Sequence, residues 1–264
     1  KLANGKFFRV IDSDDWVNID DFPRYVKDLK KLDCDLVLTN YSKEFIYDNS
    51  TLKFKYSNKI EFNKIYNLRE FDLRKFNDDY FFMATSTFKT QILREQKIEL
   101  DENTFYVDME FIIFPIPKIK NFILLDYDIY RYFIGRADQS INIQSYIKNR
   151  KHHEKVLRKL IKFYEDTDMD KNKKEYIFKI LVFMINSHYL IYCKNILPDK
   201  KNINELKKFD SFLKEKSPKL YFETSKKYAY IKWNRKTSFI FSQCCHNAFS
   251  KIVNRLEKKF GGEK

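Results

Sequence analysis

Glycine and proline are nearly absent, at 4 and 5 in 264 residues. So few backbone breakers exclude a long flexible linker and point to continuous folded structure. Cysteine is scarce too. Cys34, Cys193, Cys244 and Cys245 form no CxxC pair, which excludes paired-thiol zinc and redox motifs. Cys244, Cys245 and His246 lack a second ligand pair at zinc spacing, so the cysteines read as small apolar core residues. With no secretory-signal pattern, the expected compartment is the reducing cytoplasm. No run of 18 apolar residues occurs. The longest approach, Tyr176–Tyr192, is interrupted by Lys179, Asn186 and His188. It reads as a buried helix rather than a membrane span, with His188 as a core histidine. Nucleophile-elbow, P-loop and GxGxxG patterns are missing. So are RRM, zinc-finger and helix-turn-helix signatures, and no nucleic-acid partner is expected.

Aromatic residues are abundant at 17%, mostly Phe and Tyr, and predict an aromatic-rich core. Net charge is +14 and uneven. Residues 1–145 carry 22 Lys+Arg against 24 Asp+Glu, whereas residues 146–264 carry 29 against 13. A near-neutral part around acidic residues is thus followed by a basic body. Such a body can face anionic lipid, nucleic acid or an acidic polymer; it is also what a solvated helical surface in a Lys-rich chain looks like.

The chain's organising stretch is Gly5–Trp16, GKFFRVIDSDDW. Phe7, Phe8, Val10 and Ile11 form strands, and Asp12, Ser13, Asp14 and Asp15 follow at the strand's expected carboxyl end, where open α/β sheets bind ligands. Crowded carboxylates repel unless a cation or solvent reaches them, and a hard divalent ion such as Mg²⁺ or Mn²⁺ suits oxygen ligands. The residues alone leave two readings: a cation site, or an acidic turn capping a helix.

Lys1–Gly5 reads as the end of a helix, and Asp20–Leu32 as a helix with Phe22, Tyr25, Val26 and Leu29 on one face. Asp35–Tyr41 reads as a strand, and Glu44–Tyr47 with Leu52–Tyr56 as a hairpin about Asp48-Asn49. Lys59–Asn77 has no clear pattern. Phe82–Gln96 reads as largely helical, with Ile92 and Leu93 buried, and Ile98–Leu100 as a short strand. Asp108 and Glu110 interrupt the apolar run Phe105–Pro115. Carboxylates there are either caps and ion-pair partners or groups aimed into a cleft from a helix start. Ile119–Tyr132 is strand-rich, and Arg131, Arg136, Gln139 and Ser140 surround a glycine in a turn suited to anions. From Tyr146 onward the apolar period is 3.6, with further helices around Phe209–Leu213 and Phe249–Leu256.

Three segments together, GKFFRVIDSDDW, FYVDMEFIIFP and YRYFIGRADQS, resemble the family-2 glycosyltransferases of bacterial surface and capsular polysaccharide synthesis, which have the GT-A fold. The resemblance covers residues 3–145. It implies an α/β, partial GT-A (Rossmann-like) mixed sheet over residues 1–145 and an all-helical basic appendage over 146–264. It implies inverting, metal-dependent transfer from a nucleotide-diphosphate sugar, a UDP-sugar, to a glycan or lipid-linked acceptor hydroxyl. Asp12 and Asp14 match the family's DxD motif and imply a Mn²⁺ or Mg²⁺ site, with Asp12 also near the donor. Asp15 extends the motif. Asp108 matches the catalytic-base aspartate, although Val107 stands where the family usually has glutamate; Glu110 is the alternative base. Arg136, Gln139 and Ser140 match a turn over the diphosphate or acceptor. The family's first strands, which carry the nucleotide-base site, have no counterpart before Lys1, so a truncated enzyme is expected. The competing expectations are an inactive fragment that binds anionic lipid or polymer through its basic body, and a metal-dependent nuclease or phosphotransferase. Peripheral contact with the inner face of the plasma membrane is the expected role of the positive charge.

Overall fold

The computed structural model describes residues 2–56, 60–76, 81–96, 98–135, 143–196 and 199–242. The chain divides into two compact units, Lys1–Gln139 with Asp168–Ile177, and Ser140–Thr167 with Phe178–Lys264.

The first unit is a seven-stranded mixed sheet. Its strands are β1 (Phe7–Phe8), β2 (Trp16–Val17), β3 (Leu36–Phe45), β4 (Thr51–Phe54), β5 (Ile65–Asn67), β6 (Ser86–Lys89) and β7 (Asn121–Ile134). The order is β1-β6-β3-β7-β2, with β4 also on β3 and β5 also on β7. β3 and β7 run parallel and the other pairs are antiparallel. The apolar start of β3, Leu36-Val37-Leu38, is fully buried, as a central strand covered on both faces requires. Its register against Phe122-Ile123-Leu124 breaks at Thr39/Asn40/Tyr41, where β7 carries extra residues. Such a bulge bends the strand and re-aims the side chains beyond it. Those side chains include Tyr130 and Tyr132.

Phe122 anchors the aromatic core. Its ring lies 4.9 Å from Phe71, 5.3 Å from Tyr66 and 5.6 Å from Phe76. On the other side, helix α1 (Phe22–Lys31) lays Tyr25 among Val37, Ile123, Leu125 and Ile129. Pro23 occupies its first turn, where a missing N–H costs nothing. Two short helices follow in this unit, α2 (Thr90–Glu95) and α3 (Asp108–Ile113).

Several expectations need correction. Leu2–Asn4 form no helix, and Ile98, Glu99 and Leu100 form no strand. The run Phe82–Gln96 is not one helix. Met83–Thr85 is a 3₁₀ turn, Ser86–Lys89 is strand β6, and only Thr90–Glu95 is α-helical. Pairing of β6 with both β1 and β3 overrides the local helical pattern. The organising strand is also shorter than its apolar residues suggest. It stops at Phe8, and Ile11 is exposed.

The second unit is helical. Its helices are α4 (Ile143–Lys148), α5 (Arg150–Asp166), α6 (Lys171–Leu190, from Phe178 onward), α7 (Lys200–Lys216), α8 (Pro218–Lys227) and α9 (Ala229–Lys236). Val156, Leu160 and Tyr164 of α5 are buried four residues apart, Leu206 and Leu213 of α7 are buried seven apart, two helical turns, and Leu220 of α8 is buried as well. The stretch Lys171–Asn195 is long and apolar enough, by length and composition, to cross a membrane, but 67% of its most apolar window is buried inside the protein. That is the position of a core helix. Cys34 and Cys193 are buried free thiols. Cys244, Cys245, His246 and the helix expected around Phe249 lie outside the described residues.

Candidate active site

β1 and β2 lie at opposite ends of the strand order, so the residues between them must cross β6, β3 and β7. Arg9 secures the start of the crossing. Its guanidinium donates to Thr39 Oγ1 on β3 (3.2 Å), to Thr87 Oγ1 on β6 (3.1 Å) and to the Ala84 carbonyl. The far end is a β-turn in which the Asp15 N–H donates to the Asp12 carbonyl at 3.1 Å. Two residues of β7 fix this turn. The Tyr130 hydroxyl donates to the Asp15 carboxylate and accepts from the Asp12 N–H at 3.3 Å. The Phe133 N–H donates to the other Asp15 oxygen at 2.9 Å. Both Asp15 oxygens are therefore engaged in holding the turn.

Asp108 is the first residue of α3. Two residues earlier Tyr106 has φ 70°, and Asn103 has φ 51°. Left-handed backbone is unfavourable for an aromatic residue and concentrates near functional sites. Asp108 keeps contact with solvent, yet protein crowds it enough that lost hydration dominates its ionisation.

The charges show which of these groups act on one another. Burial raises Asp12 above the usual carboxylate range, the Asp14 charge adds to this, and the Tyr130 hydroxyl opposes it. Asp15 is raised in the same way, chiefly by burial. Asp108 is raised by lost hydration, and the Asp12 charge pushes it further; backbone N–H groups at the helix start oppose both. Tyr132 is pushed up to about 12, first by burial and then by the charges of Asp15, Asp12, Asp14 and Asp108. The structure thus gathers all four carboxylates within electrostatic reach of one tyrosine, although 93 residues of sequence separate Asp15 from Asp108.

Glu110 is different. It is fully buried, and its Oε2 accepts from the Asp101 N–H at 3.0 Å. It braces the loop before α3. Arg136, Gln139 and Ser140 lie outside the described residues. An apolar hollow of about 530 Å³ is lined by Phe8, Thr90, Leu93, Arg94, Leu100 and Phe111. None of the four carboxylates lines it.

Among the described residues no group of three or more His, Cys, Asp or Glu is gathered to hold a metal ion. Asp15 is committed to Tyr130 and Phe133, which leaves Asp12 and Asp14 as a like-charged pair. Two carboxylates suit Mg²⁺ or Mn²⁺, which take one or two protein oxygens and complete their shell with water and substrate phosphate. They do not suit an ion that needs a full cage of side chains.

Sequence reasoning missed Arg9, Tyr130 and Tyr132. Arg9 is a lone cation inside FFRVI, a pattern that asks for a buried partner. Tyr130 and Tyr132 alternate on β7, so both address one face.

No family model matches the chain, and no curated protein does. Solved structures do. The fold is similar to S. aureus TarS 1–349 in complex with UDP-GlcNAc, with TM-score 0.59 at 15% identity over 92% of this chain and 68% of that one. It is similar to S. aureus TarS 1–349 with TM-score 0.58 at 16% identity, covering 92% and 67%. It is also similar to S. aureus TarS with TM-score 0.58 at 15% identity, covering 92% of this chain and 40% of that one. The likeness is one of fold. The chain has a glycosyltransferase-like fold: a mixed sheet carrying the acidic turn, with a helical part after it.

Proposed function

We propose that this chain transfers a sugar from a nucleotide-diphosphate sugar, most simply a UDP-sugar, to an acceptor hydroxyl with inversion. The acceptor is a glycan or lipid-linked sugar in cell-surface polysaccharide synthesis on the cytoplasmic side. The observation that supports this reading is electrostatic proximity: the Asp12 charge raises Asp108, and the charges of both raise Tyr132. The fold likeness to a protein solved with UDP-GlcNAc favours the donor class. In this proposal residues 1–145 carry the chemistry and residues 146–264 form the basic helical domain.

Asp12 and Asp14 would hold Mn²⁺ or Mg²⁺, which when bound supplies Lewis-acid stabilisation of charge on the departing diphosphate. Asp15, tied to Tyr130 and Phe133, fixes the turn so that those two carboxylates stay together. Asp108 takes the acceptor hydroxyl's proton during attack. Its raised pKa suits a general base, because proton affinity closer to neutrality increases the driving force. Attack opposite the leaving group needs one displacement and no enzyme nucleophile. Arg136, Gln139 and Ser140 complete the proposal as contacts to diphosphate or acceptor.

Calorimetric titration with UDP and Mn²⁺, followed by UDP-sugar turnover, tests it. Asp14→Ala is expected to abolish Mn²⁺-dependent UDP binding. Asp108→Asn is expected to keep binding and lose about 100-fold or more in turnover. UDP binding unaffected by Asp14→Ala would remove the metal assignment. Binding without turnover in the unaltered chain would instead favour a binding module.

A further inference from the structure

Between Glu223 and Glu257 the sequence carries seven Lys or Arg and no Asp or Glu. The described part of this segment is the end of α8, the whole of α9 and the turn beyond it. Arg235 is taken up internally. It donates to Asp210 at 2.7 Å and to the Tyr189 hydroxyl at 2.8 Å, and its guanidinium lies 3.7 Å from the Tyr221 ring centre. That contact ties α9 to α6, α7 and α8. The other four cations, Lys226, Lys227, Lys232 and Lys236, are exposed, and no carboxylate among the described residues pairs with them.

Large apolar side chains stand beside these lysines. Phe222 is 68% exposed and Trp233 is 53% exposed. Lys219, Phe222 and Lys226 follow one another at helical spacing along α8, and Trp233 and Lys236 do so along α9. The Lys236 ammonium lies 5.5 Å from the Trp233 ring centre. By contrast, α7 is also lysine-rich but interleaves Glu205, Asp210 and Glu215, and Lys216 is paired with Asp166 at 2.7 Å. Positive charge alone is therefore spread over the helical unit. Positive charge with exposed aromatics and few carboxylates is concentrated on α8–α9.

We propose that the α8–α9 face seats this protein on an anionic bilayer surface, with Trp233 and Phe222 entering the headgroup layer and the four lysines facing lipid phosphates. Indole and phenyl rings favour that layer, and each lysine near an anionic surface contributes about fivefold in binding. The charge complementarity singles out lipid over a neutral protein partner. This inference rests on the helical unit alone and stands whether or not the acidic turn binds a nucleotide sugar.

The full chain with Trp16→Phe leaves Trp233 as the sole indole, since the sequence has 2 tryptophans. Titration with phosphatidylcholine–phosphatidylglycerol vesicles is expected to blue-shift its emission and to sediment the protein, reversibly by salt. Pure phosphatidylcholine vesicles are expected to do neither. Changing Lys226, Lys227, Lys232 and Lys236 together to Gln should weaken sedimentation on the order of several hundredfold. The matched change at Lys200, Lys201, Lys207 and Lys208, in the half of α7 farther along the chain from α8, should weaken it by less than about tenfold. Adding Trp233→Ala and Phe222→Ala separately from the lysine changes should also weaken binding while leaving the helical circular dichroism intact. Equal losses from the two lysine sets, or sedimentation without an emission shift, would overturn the proposal. So would binding to heparin with none to anionic vesicles, which would identify a soluble polyanion as the partner.

Discussion

Asp15 and Tyr130 show how one hydrogen bond can shape a whole site. The Tyr130 hydroxyl serves two partners at once, the Asp15 carboxylate and the Asp12 N–H. Its ring is buried in β7, so the turn is referenced to the sheet rather than to a loop. Removing the hydroxyl with Tyr130→Phe takes a donor from a carboxylate that has already lost part of its hydration. The expected cost is about 1–2 kcal/mol, read from urea unfolding, together with weaker Mn²⁺-dependent UDP binding. Unchanged values for both would mean the turn is held by Arg9 and Phe133 alone. Asp12, Asp14 and Asp108 were legible as candidates because carboxylates in apolar surroundings are conspicuous in sequence. Tyr130 and Tyr132 were not, because a tyrosine in a strand signals only β propensity until the bulge in β7 shows where its hydroxyl goes.

Among the elements, β3, β7, α1 and the hairpin of β3 with β4 were legible, since their apolar runs and turn residues agree with their final environments. Strand β6 was not. Ser86–Lys89 is short and polar-mixed, and only its place between β1 and β3 makes it a strand. The helical elements carry a different surprise in the α5–α6 core. His153 and His188 are buried with their Nδ1 atoms 3.2 Å apart and ring planes within 4°. One Nδ1–H must donate to the other's lone pair, so the accepting ring is neutral. The Glu154 carboxylate stands 3.8 Å from His188 Nε2 but is bonded to Arg158 at 2.7 Å. Tyr192 and Phe209 close the site. Burial lowers His153 to about 4, and burial, His153 and Arg158 lower His188 further below its ordinary value. Unfolded histidine takes its proton near pH 6.5, so the unfolded chain binds more protons between there and about pH 4. Stability of the helical unit is therefore full above pH 6.5 and declines as pH falls, by on the order of 3 kcal/mol for His153 alone. Urea midpoints followed by Trp233 emission in Trp16→Phe protein should fall from pH 7.5 to 4.5. A flat profile would mean that the imidazoles are hydrated.

At the scale of the whole molecule, the sheet contributes rigidity where two distant parts of the sequence meet. The acidic turn arrives by crossing three strands, and Asp108 arrives at the start of a short helix after a strained loop. Neither the crossing nor the approach is encoded locally, which is why spacing alone could nominate the residues but not the influence of Asp12 on Asp108. The most direct test is the ionisation of Asp108 in metal-free protein, followed by carboxyl carbon chemical shifts in ¹³C-aspartate-labelled chain, with Asp108→Asn assigning the signal. Asp12→Asn removes the negative charge that helps hold Asp108 above its ordinary range, so the Asp108 pKa should fall in that variant while Asp28→Asn leaves it unchanged. An Asp108 pKa indifferent to Asp12→Asn would place the two carboxylates in separate surroundings and contradict the shared site.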